Sequence, residues 1–265
     1  MSFLQGKWRI WHPTKAFLKM PSCRFGLLIL DGAAYCPCRK DTVQTLWHSA
    51  SIRVAADGAG NFLHRMHSEN FSMIPDIVCG DLDSITNESL RFLENKGTAV
   101  IRVREQESTD FTKCVRVIVE RAEQMKLELE MLVAIGGLCG RFDHVFGCVQ
   151  SMFLHQDEHP EVPLFLWHKE SLLFLLPQGE HRILLDRSLT TGKCGLIPVG
   201  RPVKQVFTSG LRWDLNGHQL AFGELVSSSN EVVGNQVTVN TSDTLLFTLE
   251  LNTEHLKLAP VNRKA

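Results

Sequence analysis

The chain has 265 residues, 44% of them apolar and 22% charged, and its 28 basic and 29 acidic side chains leave a formal net charge of −1. That length admits one large domain or two ordinary ones, and so even a balance lacks the clustered basic excess that nucleic-acid binding requires. No apolar run approaches the roughly 18–20 residues needed to cross a bilayer, so neither a nucleic-acid nor a membrane partner is expected.

The first 30 residues carry Lys7, Arg9, Lys15, Lys19 and Arg24 but no acid. Pro13 and Pro21 interrupt any amphipathic targeting helix, so residues 1–23 are expected to be a flexible leader. From 24 to 168 short apolar runs alternate with helix-like segments. Strands are expected at Phe25–Leu30, Ile52–Ala56, Ile77–Cys79, Ala99–Val103, Leu132–Ile135 and Val162–Trp167. Helices are expected near Asp41–Ser49, Asn61–His67, Asn87–Lys96, Asp110–Met125 and Phe142–His155. The alternation predicts an N-terminal doubly wound α/β domain with a largely parallel sheet. The clearest helix follows Thr109, where Phe111, Cys114, Val115, Ile118, Ala122 and Met125 form one apolar stripe.

Beyond the acidic, proline-containing segment 156–163 the texture changes. Short β-rich runs at Ser171–Leu176, His181–Leu185, Val203–Phe207, Gln236–Val239 and Leu245–Leu251 are separated by turn signals such as Asn216-Gly217. A C-terminal antiparallel β-sandwich domain is expected over 169–258, with a tail over 259–265. The eight cysteines include no Cys-x-x-Cys pair. Cys36 and Cys38 are too isolated for a tetrahedral zinc site, and buried thiols in a reducing compartment, the cytoplasm, are expected.

Four motifs carry chemistry. Cys79-Gly80-Asp81-Leu82-Asp83-Ser84 sets two carboxylates just beyond a strand, where an open α/β sheet binds its ligands. Asp57-Gly58-Ala59-Gly60-Asn61 lies at another strand-to-helix junction, as a simple turn or a ligand loop. Thr109-Asp110 reads as a helix start with an acid in the first turn. A plain cap leaves Lys113 unexplained, because the dipole disfavours a cation there. In Gly136-Gly137-Leu138-Cys139-Gly140-Arg141-Phe142-Asp143 three glycines can form an anion nest, and Arg141 adds a planar fork for phosphate. Asp57, Asp81, Asp83, Asp110 and Asp143 therefore converge on one sheet edge. Five like charges without a cation would repel, so Mg²⁺ with a polyphosphate is the simplest neutralising partner. In the second domain Trp213 is either an exposed platform for a cationic ligand or a core residue, and the serine run 227–229 is ordinarily a solvated loop.

With Cys194-Gly195-Leu196-Ile197-Pro198-Val199-Gly200, Gly210-Leu211-Arg212-Trp213 and Ala221–Asn230 added, these motifs resemble the thiamin pyrophosphokinases of the animal type. The resemblance implies Mg²⁺-dependent transfer of diphosphate from ATP to the hydroxyl of thiamin, in a homodimer with its active site at the subunit interface. It implies metal ligands among Asp81, Asp83, Asp110, Asp57 and Asp143, with Asp81, Asp83, Asp110, Arg141 and Lys113 in catalysis. It implies ATP contacts from Asp57, Gly58, Asn61, Thr109, Gly136, Gly137, Gly140, Arg141 and Asp143. Thiamin would meet Gln106, Trp213, Ser228, Ser229 and Asn230. The family's usual Asp-Gly-Gly-Ala-Asn stands here as Asp57-Gly58-Ala59-Gly60-Asn61, which would strain Ala59 if that position takes positive φ. The rival readings are a metal-dependent phosphohydrolase, which releases phosphate without an acceptor, and a catalytically silent nucleotide or thiamin sensor.

Overall fold

The computed structural model describes residues 8–18, 23–35, 40–68, 72–254 and 256. Cys36, Cys38 and the expected tail 259–265 lie outside them. The chain divides into two compact units, one formed by Ala16–Lys169 with Leu256–Ala265, the other by Met1–Lys15 with Glu170–His255.

The segment expected to be a leader contributes a strand, β1 (Arg9–Trp11), to the second unit. The first unit holds six further strands: β2 (Phe25–Ile29), β3 (Ile52–Ala56), β4 (Ile77–Gly80), β5 (Ala99–Arg102), β6 (Met131–Ile135) and β7 (Leu164–His168). They pair with one another in parallel, in the order β7-β6-β2-β3-β4-β5. Every residue of β2, β6 and β7 is buried, the mark of strands covered on both faces. Among the described residues five α-helices connect them: α1 (Lys40–Ser49), α2 (Ala59–Ser68), α3 (Asn87–Asn95), α4 (Asp110–Gln124) and α5 (Phe142–Glu158). This is the doubly wound α/β domain expected from the alternation.

The stripe of α4 is buried from Phe111 to Ala122, whereas Met125, just past the helix, is 53% exposed. Each fully buried aliphatic side chain of such a stripe contributes roughly 1.5–3 kcal/mol. Gly26 of β2 lets α4 press close, since a Cβ there would stand 2.6 Å from Ile118 Cγ2. The chain runs outward from β2 through β5, then returns to β6 on the other side of β2. That reversal opens a crevice beyond the carboxyl ends of β2 and β6, where ligands bind in sheets of this kind.

The second unit adds β8 (Ser171–Leu176), β9 (Gly179–Leu184), β10 (Thr190–Ile197), β11 (Val203–Ser209), β12 (Asn216–Leu220), β13 (Ser227–Glu231), β14 (Gln236–Thr241) and β15 (Leu245–Leu251). One sheet has the order β1-β9-β14-β11-β12 and the other β13-β10-β15-β8. All their pairings are antiparallel except β1 with β9, which agrees with the expected β-sandwich. The serine run forms strand β13 instead of a loop.

What fixes β1 is Trp11, only 4% exposed, whose Nε1–H donates to Nδ1 of buried His181 at 3.0 Å. Because an indole can only donate, Nδ1 must accept and Nε2 carries the proton, which it donates to the Pro177 carbonyl at 2.7 Å. Burial pushes the His181 pKa down to about 4, outweighing that hydrogen bond. The other end of the chain returns to the α/β unit, where Thr42 Oγ1 donates to the carbonyl of buried Leu256 at 2.9 Å.

Candidate active site

The acids gather at the carboxyl edge of the parallel sheet. Asp57 leaves β3 at a φ of 35° and is buried. Its carboxylate accepts from the backbone N–H of Ser84 at 3.1 Å and of Ile85 at 2.9 Å, which ties down the loop that carries Asp81 and Asp83. Gly80 makes the convergence possible. It takes a φ of 150°, and a Cβ there would lie 3.0 Å from Asp57 Cβ and 3.1 Å from Asp110 Cγ. Asp57, Asp81 and Asp110 each offer an oxygen, and these oxygens lie within 4.8 Å of one another. Three such hard donors suit a divalent cation such as Mg²⁺.

Lys113 answers this negative charge from within the helix. Its side chain is 3% exposed, with Nζ 3.1 Å from Asp110 Oδ1 and 3.9 Å from Asp81 Oδ2. Burial alone would lower its pKa, but the hydrogen bond and charge of Asp110, with the charge of Asp81, raise it on balance. Burial likewise raises the pKa of Asp57, helped by the neighbouring charges of Asp110 and Asp83 and opposed by the two backbone donors. A buried carboxyl held above its usual range beside like charges is a common signature of a functional site.

Asp83 is exposed and stands beside this trio, accepting from Ser84 Oγ at 2.8 Å. Asp143 lies apart from it and forms a two-point ion pair with Arg141, at 3.1 and 2.5 Å. Their mutual hydrogen bonds push the Asp143 carboxyl down and the Arg141 guanidinium up. Both side chains are exposed at the start of α5. Gly136, Gly137 and Gly140 all take positive φ, the conformations an anion nest needs. At Gly136 space is decisive as well, since a Cβ would stand 2.6 Å from the Ala33 nitrogen.

A cavity of about 470 Å³ joins the two clusters, reaching from Asp57 and Asp110 to Gly137, Arg141 and Asp143. Gly58 and Thr109 line it too. Thr109 is also the N-cap of α4, accepting from Thr112 N at 3.2 Å. Asn61 is occupied as a staple: Nδ2 donates to the Ser84 carbonyl at 2.9 Å, and Oδ1 accepts from Thr86 N at 2.9 Å. Gln106 is exposed in the loop between β5 and α4. Asp31, Ser84, Cys139, His144 and Cys148 also line the cavity and were absent from the expected set. Asp31 had a readable signal, because Leu30-Asp31-Gly32 repeats the strand-acid-glycine pattern of Ala56-Asp57-Gly58.

The strain expected at Ala59 does not arise. Ala59 opens α2 without positive φ, and Asp57 carries the unusual angle instead. At Gly60 a Cβ would stand 2.4 Å from Ile85 Cδ1, so a side chain there would push the Ile85 tip aside.

In the second unit a groove of about 570 Å³ is lined by Trp213, Ser228, Ser229, Asn230, Lys193 and Glu250, among others. Trp213 is 57% exposed, so it is a platform and not part of the core. Buried Asn230 holds it from below: Oδ1 accepts from Trp213 N at 3.2 Å and Nδ2 donates to the Trp213 carbonyl at 2.8 Å. Nδ2 also reaches Ser227 Oγ at 3.1 Å.

Two family models match the chain, "Thiamin pyrophosphokinase, catalytic domain" over residues 43–164 and "Thiamin pyrophosphokinase, vitamin B1 binding domain" over residues 180–246. Thiamin pyrophosphokinase 1 of Caenorhabditis elegans is 33% identical over 215 residues, covering 81% of this chain and 85% of the relative. Thiamine pyrophosphokinase 1 of Arabidopsis thaliana is 34% identical over 225 residues, covering 80% and 83%. In fold, the crystal structure of yeast thiamin pyrophosphokinase superposes with a TM-score of 0.81 at 23% identity, covering 97% of this chain and 95% of that one. Domain models over both units and relatives matched over most of their length lead to one conclusion: this chain belongs to the thiamin pyrophosphokinase family of enzymes.

Proposed function

We propose that the protein transfers a diphosphate group from ATP to the hydroxyl of thiamin, giving thiamin diphosphate and AMP, with Mg²⁺ as its metal. The observation that carries this is the trio Asp57, Asp81 and Asp110 with buried Lys113 beneath it, at the edge where an open sheet binds its ligand. Asp57, Asp81 and Asp110 would hold Mg²⁺, with Asp83 beside them. Once bound, the ion would neutralise phosphate oxygens. The thiamin hydroxyl oxygen attacks the β-phosphorus, the bond from that phosphorus to the oxygen bridging the α-phosphate breaks, and AMP departs with that oxygen. A carboxylate of the trio, for which we favour Asp110, takes the hydroxyl proton. Lys113, Arg141 and the glycine nest stabilise the charge on the moving group, so that positioning and electrostatics supply most of the acceleration. Arg141 is held ready for this by Asp143.

Thiamin would rest on Trp213 beside Ser228 and Ser229, with Asn230 fixing the Trp213 backbone. A homodimer with the active site at the subunit interface fits the exposed aromatic pair Phe142 and Phe146, stacked edge to face at 5.0 Å on α5. A cytoplasmic location fits Cys79, Cys114, Cys139, Cys148 and Cys194, all of them thiols. Among the described residues no helix is long and apolar enough to cross a membrane.

The test is incubation with thiamin, ATP and Mg²⁺, followed by product identification and repeated after chelation. Thiamin diphosphate and AMP in equal amounts, lost on chelation, are expected. Phosphate release without thiamin would indicate a hydrolase, and saturable binding without turnover a sensor.

A further inference from the structure

The thiamin groove contains an arrangement that contact with Trp213 alone does not explain. The Arg212 guanidinium carbon lies 5.1 Å from the centroid of the Trp213 ring. Arg212 Nη1 in turn donates to Glu231 Oε2 at 3.0 Å, and the Arg212 backbone N–H donates to the Glu231 carbonyl at 2.7 Å. One side of the indole is thus already engaged by a cation. Thiamin carries a permanent positive charge on its thiazolium ring, and two cations drawn to the same π-system repel each other across it. A bare guanidinium there would work against the substrate.

Glu231 removes that conflict. It lines the groove, and its neighbour across the strands, Lys193, is occupied elsewhere, with Nζ 3.4 Å from Glu250 Oε2. Each cation of the groove therefore has its own carboxylate. Glu170 adds a third acid to the lining, so the carboxylates of Glu170, Glu231 and Glu250 exceed the cations Lys193 and Arg212 by one.

We propose that Glu231 is a positioning and specificity residue for the cationic half of the substrate: it holds Arg212 against Trp213 and neutralises it, leaving the rest of the indole for the thiazolium. This rests on reading the groove as the thiamin site. The pair is exposed, with side chains 62% and 42% accessible, so its effect is graded and screened by salt.

The experiment measures KM and kcat for thiamin in the intact enzyme, together with inhibition by an uncharged thiophene isostere of thiamin. Glu231→Gln is expected to raise KM for thiamin by about three- to tenfold, within the range of a cation–π contact, with a smaller change in kcat. The inhibition constant of the isostere should stay within about twofold, because it carries no charge to be repelled. Glu231→Asp should recover most of the loss, and Arg212→Gln combined with Glu231→Gln should bind thiamin better than Glu231→Gln alone. Equal weakening of thiamin and of the isostere would make Glu231 a structural support and overturn the proposal, as would a double variant no better than the single one. Trp213→Ala separates the two levels. If it leaves KM for thiamin unchanged, the reading of the groove fails. If it raises KM while Glu231→Gln behaves as wild type, only the role of Glu231 fails.

Discussion

The α/β unit holds the charges around Asp57 and Lys113 by burial and backbone, whereas the β unit holds those of its groove at the surface by neighbouring side chains. Lys113 is 3% exposed beneath the acids, and Asp57 is locked by two backbone donors. Arg212 and Glu231, in contrast, stand in solvent around a half-exposed tryptophan. Charges that burial has stripped of water interact strongly and lose much when one partner goes. Exposed pairs contribute little to folding and serve to tune. The first arrangement suits chemistry on phosphate, and the second suits discrimination between ligands of similar shape.

The largest expected effect falls on the acid cluster around Lys113. Asp110→Asn removes a proposed metal ligand and the closest partner of Lys113, and AMP formation should fall by about 10²–10³-fold, the scale of losing one preorganised electrostatic group. Turnover above a tenth of wild type would break the contrast between the two units. The next prediction concerns the β unit's interior, where His181 is kept uncharged. His181 titrates at about 4 when folded against an ordinary 6.5, so it is buried neutral. Its contribution to stability is complete above pH 6.5 and is lost as the pH falls from there to 4, because the unfolded chain then binds the extra proton. A shift of that size amounts to about 3 kcal/mol. Chemical unfolding of the β unit followed across that range should show the slope, and His181→Gln should flatten it.

Gly80→Ala would force a side chain between Asp57 and Asp110 at a φ of 150°. About 1–3 kcal/mol of stability should go, read as a lower melting temperature, with loss of activity because the carboxylates must part. Trp213→Ala is expected to have the smallest effect, raising KM for thiamin by about tenfold, near the upper range of a cation–π contact, while KM for ATP stays put.

The doubly wound half of the molecule was readable nearly throughout, because buried parallel strands are continuous apolar runs and α4 bears a full apolar stripe. The unexpected strands share a different character. β1, β12 and β13 lie at sheet edges, where pairing on one side suffices and apolar alternation is weak. The sequence Ser227-Ser228-Ser229-Asn230-Glu231 forms a strand through its backbone pairing with β10, which no side-chain pattern announces. β10 itself is interrupted by Gly192 at a φ of 91°, where the register shifts, and that glycine reads as a turn. At the site, Asp57, Asp81 and Asp83 were legible because they stand just beyond apolar runs, and Asp110 and Asp143 because each lies in the first turn of a helix. Their division into a trio around buried Asp57, a rim carboxylate at Asp83 and an arginine clamp at Asp143 was not, since it depends on which oxygen meets which backbone N–H. The Arg212–Glu231 pair was equally hidden, its members lying nineteen residues apart.

Trp11 and the imidazole it grips lie 170 positions apart in the chain, with the strands and helices of the α/β unit between them. During synthesis this hydrophobic hook must wait while the whole α/β unit emerges and folds. Truncation at the start of the chain would thus wound the far module, leaving β9 with a bare edge and His181 with an unpaired nitrogen.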